Sequence, residues 1–482
     1  MRNVFIFRTF LHDKSKKDFT HPAAYAIIAV IMRSSEGRSG IKKVKFIIHT
    51  LGCKVNQYES TVMSEALSDA GLTRSCKDES ADICIINSCA VTAESERKAR
   101  QLVRRTISEN PDAYVIITGC YAQLRAEELL AIDGVSYVCG NYAKKEAVDA
   151  ALLYASTGKR TEGINVPPLS DAKFEPSMIK HSERTRAYVK IEDGCDSKCA
   201  YCTIKNARGP VRSKAMDDVH SEIAALAKSG YREVVLTGIE ISAWGKDLYS
   251  KKPDGSRTDL CDLVLSLGDI DGLDRIRLGS LDPSLLTPDF VDRLAGSSKL
   301  CHHFHLSLQS GCDRTLAAMR RRYNTAAVIR NTDHIKAVLP DAMFTADTIV
   351  GFPGETDEDF DITEKFIDRL GLIYNHIFPF SRRPGTEAYG MSGQVSESVK
   401  SERLHRLEEV REHSRERIFS ELIGKKFDVL FEDYSGGLAR GHTASFIEVC
   451  VPSDIGLHGR SGKVIITDYR NGSAFGKLIT LK

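Results

Sequence analysis

The stretch 194–202, Gly-Cys-Asp-Ser-Lys-Cys-Ala-Tyr-Cys, places three cysteines in a C-x3-C-x2-C spacing. The chain then runs on as Thr-Ile-Lys-Asn-Ala-Arg-Gly-Pro-Val-Arg-Ser-Lys, with no fourth cysteine nearby. A structural zinc site wants four ligands, commonly as paired C-x2-C knuckles, and no second pair follows. Four-iron clusters normally take four cysteines as well. Three thiolates from Cys195, Cys199 and Cys202 leave one iron with open coordination, as a metal that binds a reacting ligand requires.

Working outward from that loop, strands and helices alternate. Downstream, Ala187–Ile191, Glu233–Thr237, Arg275–Leu278, His303–Leu308, Thr345–Val350 and His376–Pro379 read as buried strands. Helices such as Asp217–Ser229 and Asp357–Arg369 fall between them. Six such units predict a partial β/α barrel whose active face lies at the strand carboxyl ends. Upstream the same rhythm recurs over Lys45–Thr50, Asp82–Asn87 and Tyr114–Thr118, with helical stretches at Ser60–Ala70 and Ala93–Ser108. Each of these three strands leads into a cysteine: Cys53 in TLGCKVNQYES, Cys89 in INSCAVTAESE and Cys120 in ITGCYAQ. Parallel sheets gather their ligand sites at the carboxyl edge, so the three thiols are expected to converge there. Cysteine is equally a small buried hydrophobe, and that is the expectation for Cys76, Cys84, Cys139, Cys261, Cys301, Cys312 and Cys450.

The expected organisation is α/β throughout most of the chain. A basic leader at 1–43 precedes a parallel α/β cluster domain at 44–160, a polar, Pro-containing linker at 161–183 and the partial barrel at 184–422. After the charged helix Ser396–Leu422, residues 423–482 alternate as in KFDVLFEDY and GKVIITDY, which predicts a small antiparallel β-barrel. The leader holds nine Lys/Arg against three Asp/Glu. It reads as a weakly ordered segment ahead of the first domain, and Met32 is an alternative start. Its apolar run Ala23–Met32 is half of what a membrane helix needs, so no membrane association is expected and a cytoplasmic location is. Thirteen cysteines, with no clear secretory signal, favour metal or redox chemistry over disulfides. A net charge of +2 leaves nucleic-acid binding to local patches.

The loop 194–202, including Tyr201 before the last cysteine, strongly resembles the signature of the radical S-adenosylmethionine (SAM) superfamily. The resemblance implies that Cys195, Cys199 and Cys202 are catalytic cluster ligands, and that SAM fills the open iron position through its amino and carboxylate groups. It further implies SAM contacts at Tyr201, at Gly238 and Glu240 in LTGIEIS, at Ser307 and Gln309 in HLSLQSGC, and at Asp347 and Gly351 in DTIVGFPGET. Relatives more often carry another residue at position 240. The upstream motifs are similar to the amino-terminal domain of the methylthiotransferases, which implies a second 4Fe–4S cluster on Cys53, Cys89 and Cys120. The carboxyl-terminal barrel resembles their RNA-binding TRAM domain. The implied reaction replaces an aromatic C–H with C–SCH3, using two 4Fe–4S clusters and SAM, with an electron donor such as a flavodoxin or ferredoxin. The sequence identifies no sulfur source.

Three branches of that family differ in substrate. GCKVNQYES resembles the branch acting on N6-threonylcarbamoyladenosine, which implies adenosine 37 in the tRNA anticodon loop. The isopentenyl-adenosine branch reads more like G-C-Q-M-N, and the branch modifying a ribosomal-protein aspartate more like G-C-P-K-N. The runs ERKARQLVRR, ARGPVRSK and MRRRY are expected to neutralise phosphates, although charge runs are usually solvated faces. A reading from a different class, a non-catalytic metal-binding RNA-binding protein, predicts metal without SAM turnover.

Overall fold

A computed structural model describes residues 43–482 apart from 77, 78, 171, 183, 249–254, 256 and 471. The basic leader, save Lys43, and the apolar run Ala23–Met32 lie outside the described residues. Among the described residues no helix is long and apolar enough to cross a membrane.

The first unit is a six-stranded, all-parallel sheet of β1 (Lys45–Thr50), β2 (Thr73–Arg74), β3 (Ile83–Ser88), β4 (Tyr114–Gly119), β5 (Tyr137–Cys139) and β6 (Gly163–Asn165). Its order is β2-β1-β3-β4-β5-β6. Every residue of β3 and β4 is buried, as the centre of a sheet covered on both faces demands. Alternate side chains feed two cores. Ile83, Ile85, Tyr114 and Ile116 pack with Met63, Leu67, Ala147 and Ala151 on one face. Cys84, Ile86, Val115 and Ile117 meet Ala99 and Val103 on the other. The helix Ala93–Glu109 starts cleanly because Thr92 Oγ1 accepts the Ser95 amide at 3.1 Å and Glu94 and Glu96 lie in its first turn.

The second unit continues with β7 (Arg186–Lys190), the short antiparallel pair β8 (Glu192–Asp193) and β9 (Arg212–Ser213), then β10 (Glu233–Thr237) and β11 (Arg275–Leu278). β12 (Ser280–Leu281), β13 (His303–Gln309), β14 (Met343–Val350) and β15 (Tyr374–Pro379) complete it. Parallel sheets β7-β10-β11 and β12-β13-β14-β15 meet at Gly279, where the chain passes from one to the other. A side chain at Gly279 would lie 2.9 Å from the Leu236 carbonyl oxygen, so glycine permits the close approach. The six staves form the expected partial barrel, and their apolar side chains make the largest core with helices such as Met216–Lys228 and Asp357–Leu370.

After the helix Glu397–Ser420, a closed barrel of β16 (Lys426–Ser435), β17 (Leu438–Thr443), β18 (Glu448–Pro452), β19 (Ser461–Arg470) and β20 (Ser473–Leu481) ends the chain. Its pairs are antiparallel except β18 with β20. Arginines at the amino-terminal halves of the central strands bind it. Arg275 donates to the carbonyls of His442 and Asp428, Arg277 to those of Thr443 and Ala444, and Arg186 to Glu432. Glu233 compensates Arg277 at 2.7 Å from within the sheet.

Candidate active site

Because β1, β3 and β4 are adjacent and parallel, their carboxyl ends bring Cys53, Cys89 and Cys120 to one edge. Asn56 ties that edge together: its amide donates to the Leu51 carbonyl, the Ser88 carbonyl and Asn87 Oδ1 at 3.0–3.2 Å. Gly52 has φ +116°, and a side chain there would come within 3.2 Å of Cys89 Sγ, so glycine keeps the space before the thiol open. Cys89 and Cys120 are buried, whereas Cys53 is exposed. Of the seven cysteines expected as core residues, Cys76 is exposed and the other six are buried. Cys76 follows the two-residue edge strand β2 with no core face to join.

The 194–202 loop joins β8 to the short helix Ile204–Arg208. Gly194 must be glycine: φ is +86°, and a side chain would stand 1.9 Å from the Pro210 carbonyl oxygen. All three thiols face N–H donors. The amide of Ser197 approaches Cys195 Sγ at 3.4 Å, that of Ile204 approaches Cys202 Sγ at 3.5 Å, and Arg321 Nη1 approaches Cys199 Sγ at 3.2 Å. As free thiols Cys195 and Cys202 would be inert, since burial pushes Cys195 up to about 11 and Cys202 to about 12. Metal binding reverses this by taking the thiolate.

Arg208 ties the first triad to Asp193, at the start of the loop that carries the second. Completely buried, it donates through Nε to Cys120 Sγ at 3.3 Å, through Nη1 to Glu59 at 2.7 Å and Asp193 at 3.2 Å, and through Nη2 to Asn56 at 2.8 Å. Lys144 and Lys190 also pair with Glu59, and Lys190 and Arg212 with Asp193. Four cations thus surround two carboxylates, and both carboxyls are held below the usual carboxylate range by these neighbours despite their burial. Excess buried positive charge beside Cys120 suits an anionic iron–sulfur cluster on three thiolates, whose properties follow net charge and hydrogen bonds to sulfur. The donor sets, thiolates with N–H donors at sulfur, fit iron–sulfur clusters.

This geometry corrects the reading of ARGPVRSK as a phosphate contact and removes one arginine from MRRRY. Arg208, Arg212 and Lys214 of ARGPVRSK are buried, Lys214 against Glu222, and Arg321 of MRRRY, where Arg320 and Arg322 are exposed, is turned inward on Cys199, Asp282 and the Ser307 carbonyl. Their partners lie far away in sequence, so no local pattern shows that they are internal. In ERKARQLVRR, Arg97 pairs with Glu94, Arg100 with Glu128 and Arg105 with Glu109 on a solvated face.

A cavity of about 480 Å³ opens inside the barrel. Gly52, Cys53 and Lys54 line one side; Gly238, Asp347, His303, His305, Tyr188 and Tyr374 are among its other walls, and Phe446 reaches it from the terminal barrel. Phe446 stacks on His303 with ring centroids 4.5 Å apart, under the guanidinium of Arg277 at 5.1 Å. Gly238 and Asp347 therefore share this space with Cys53. Gly238 leaves room for Glu192, whose Oε2 accepts the amides of Ile239 and Glu240 at 2.9 and 2.7 Å, and a side chain at 238 would stand 2.7 Å from that oxygen. Burial raises the carboxyls of both Glu192 and Glu240, and each keeps one buried oxygen without a partner. Tyr201 is half-buried against a small core that includes Ala200, Met319 and Phe352, and burial raises its phenol. Ser307 is held to the site by its carbonyl, which accepts from Arg321 and Tyr323. Gln309 has φ +66° at the end of β13. Gly351 has φ +72° and donates its amide to Glu355 at 2.6 Å; neither it nor Gln309 lines the cavity. Arg208, Arg321 and Glu192 are site residues that sequence reasoning missed as such. Burial of a strand-end carboxylate or a loop arginine has no local signal.

Residues 45–140 match the family described as Uncharacterized protein family UPF0004, and residues 189–367 match the Radical SAM superfamily. The chain is 38% identical over 403 residues to the Threonylcarbamoyladenosine tRNA methylthiotransferase MtaB of Thermotoga maritima, covering 83% of this chain and 90% of that one. It is 33% identical to the protein of the same name from Bacillus subtilis, over 87% of this chain and 92% of that one. With the tRNA-2-methylthio-N(6)-dimethylallyladenosine synthase of Pelotomaculum thermopropionicum it shares 32% identity, over 89% and 96%. Its fold is similar to that of the radical S-adenosylmethionine methyltransferase TsrM from Kitasatospora setae, with a TM-score of 0.52 and 15% identity over 72% of this chain and 77% of that one. Three-thiol loop, six-stave barrel and near full-length relatives agree: the chain belongs to the radical SAM tRNA methylthiotransferase family and is an enzyme of that kind, using SAM and iron–sulfur chemistry.

Proposed function

We propose that the protein converts N6-threonylcarbamoyladenosine at position 37 of tRNA to its 2-methylthio derivative. Cys195, Cys199 and Cys202 would hold the 4Fe–4S cluster that binds SAM, and Cys53, Cys89 and Cys120 a second one. When bound, these groups supply radical chemistry, which an unactivated C–H requires. The protein's own residues hold and orient. Arg321 and the amides of Ser197 and Ile204 fix the first thiol set. Asn56 and Arg208 fix the second. Gly52, Cys53, Gly238, Asp347 and Phe446 line the cavity beside it.

The observation that carries this reading is the shared cavity, bounded by Cys53 on one side and by Gly238 and Asp347 on the other. Its lining holds Lys54, Arg186, Arg277 and three histidines, a polar character that suits a threonylcarbamoyl group better than an isoprenyl chain. The relatives named for threonylcarbamoyladenosine support the same branch. Anaerobic incubation of the cluster-loaded protein with SAM, a reductant and tRNA bearing only one of the two side groups tests it. Methylthiolation of the threonylcarbamoyl tRNA is expected; product from the isopentenyl tRNA alone would move the enzyme to the other branch.

A further inference from the structure

Lys54 follows directly on Cys53 and opens the helix Lys54–Asp69. It is exposed, but what it faces is the barrel cavity. Two other cations of that cavity are matched: Arg186 pairs with Glu432 at 3.0 Å and Arg277 with Glu233 at 2.7 Å. Asp347 lies 3.2 Å from His305, an ion pair only when that imidazole is protonated, and acts on Lys54 from beyond direct contact. No carboxylate among the described residues stands within ion-pair distance of the Lys54 ammonium. An ammonium that faces a pocket with no carboxylate in direct contact is a place for an anionic ligand. The volume, about 480 Å³, is that of a small-molecule pocket, and Tyr188, Tyr374 and Phe378 offer flat faces for a base.

We propose that Lys54 is a specificity-determining residue that receives a carboxylate, that of the threonyl moiety on the adenosine N6 group. The assignment rests on the substrate reading above. It explains how one pocket rejects a neutral side group: an isoprenyl chain would leave the ammonium desolvated and unpaired, and a site built around a polar partner discriminates strongly against an analogue lacking it. SAM carries a carboxylate too, so the two sources must be separated.

The test compares anticodon stem-loop RNA bearing threonylcarbamoyladenosine with the same RNA bearing its methyl ester and with unmodified RNA. Equilibrium binding to the cluster-loaded wild type, Lys54→Gln and Lys54→Arg is measured, together with SAM affinity and iron content. Wild type should favour the acid over the ester by about tenfold or more, as expected for a hydrogen bond to a charged group. Lys54→Gln should lose that preference with SAM affinity unchanged, and Lys54→Arg should keep it. An equal affinity of wild type for acid and ester, both above unmodified RNA, overturns the assignment while the substrate reading stands. A weakened SAM affinity in Lys54→Gln with the acid preference intact gives the lysine to SAM and overturns it as well. Should wild type prefer neither modified RNA over the unmodified one, the substrate reading falls and the assignment with it. If Lys54→Gln loses iron, Lys54→Met is measured in its place: loss of the acid preference supports the assignment and its retention overturns it.

Discussion

Cys199 differs from its two neighbours in what reaches its sulfur: Cys195 and Cys202 face backbone amides, while Cys199 faces the guanidinium of Arg321, itself anchored on Asp282. Replacing Cys199 by Ala removes one of the three thiolates without touching Cys53, Cys89 or Cys120. SAM cleavage, followed as 5′-deoxyadenosine by chromatography, should vanish, and iron should fall by about half, as loss of one of the two proposed clusters requires. Cleavage at the wild-type rate would contradict the ligand assignment. Glu192 sets a second expectation. Its burial, with one oxygen unpartnered, raises its carboxyl well above the ordinary 4.5. The folded protein therefore binds this proton more tightly than the unfolded chain, and stability drains away as pH rises above the ordinary value. Glu192→Gln keeps an oxygen that can accept the amides of Ile239 and Glu240 and removes the titration. Its melting temperature relative to wild type should climb between about pH 5 and 8; a difference constant across that range would show that Glu192 does not carry the proton.

Elements meet here through buried charge. Arg208, on a five-residue helix of the barrel unit, reaches Glu59 on the first helix of the cluster domain, 149 positions away in sequence. Arg208→Met should strip Glu59 and Asp193 of a shared cation and cost on the order of 3–5 kcal/mol, the usual effect of removing one partner of a buried pair. Denaturant unfolding should show an earlier loss of the cluster domain, and Arg208→Lys should recover part of it. An unchanged midpoint would mean that Lys144 and Lys190 suffice. The same contacts explain what could be read in the chain and what could not. Strands such as Ile83–Ser88 and Tyr114–Gly119 carry mostly apolar runs, and their pattern is local. The three-thiol loop is local too. Arg208, Arg212 and Arg321 looked like phosphate contacts because a charge run carries no mark of burial. Their carboxylate, thiol and carbonyl partners arrive only with the tertiary fold.

At the scale of the whole molecule, three units converge on one cavity. The cluster domain supplies Gly52, Cys53 and Lys54, the partial barrel supplies the walls, and the terminal barrel supplies Phe446. The order of the units and the character of each were legible as changes in periodicity. That the terminal barrel sits against Arg275 and Arg277, with Phe446 reaching the lumen, was not, since those arginines donate to backbone carbonyls that no side-chain pattern announces. The most direct measurement of the central claim is mass spectrometry of nucleosides from digested tRNA, taken from cells with and without the gene. The account predicts that 2-methylthio-N6-threonylcarbamoyladenosine disappears, that its unthiolated precursor accumulates, and that both return with the gene. Persistence of that nucleoside, with loss of the isopentenyl product instead, would contradict the substrate assignment.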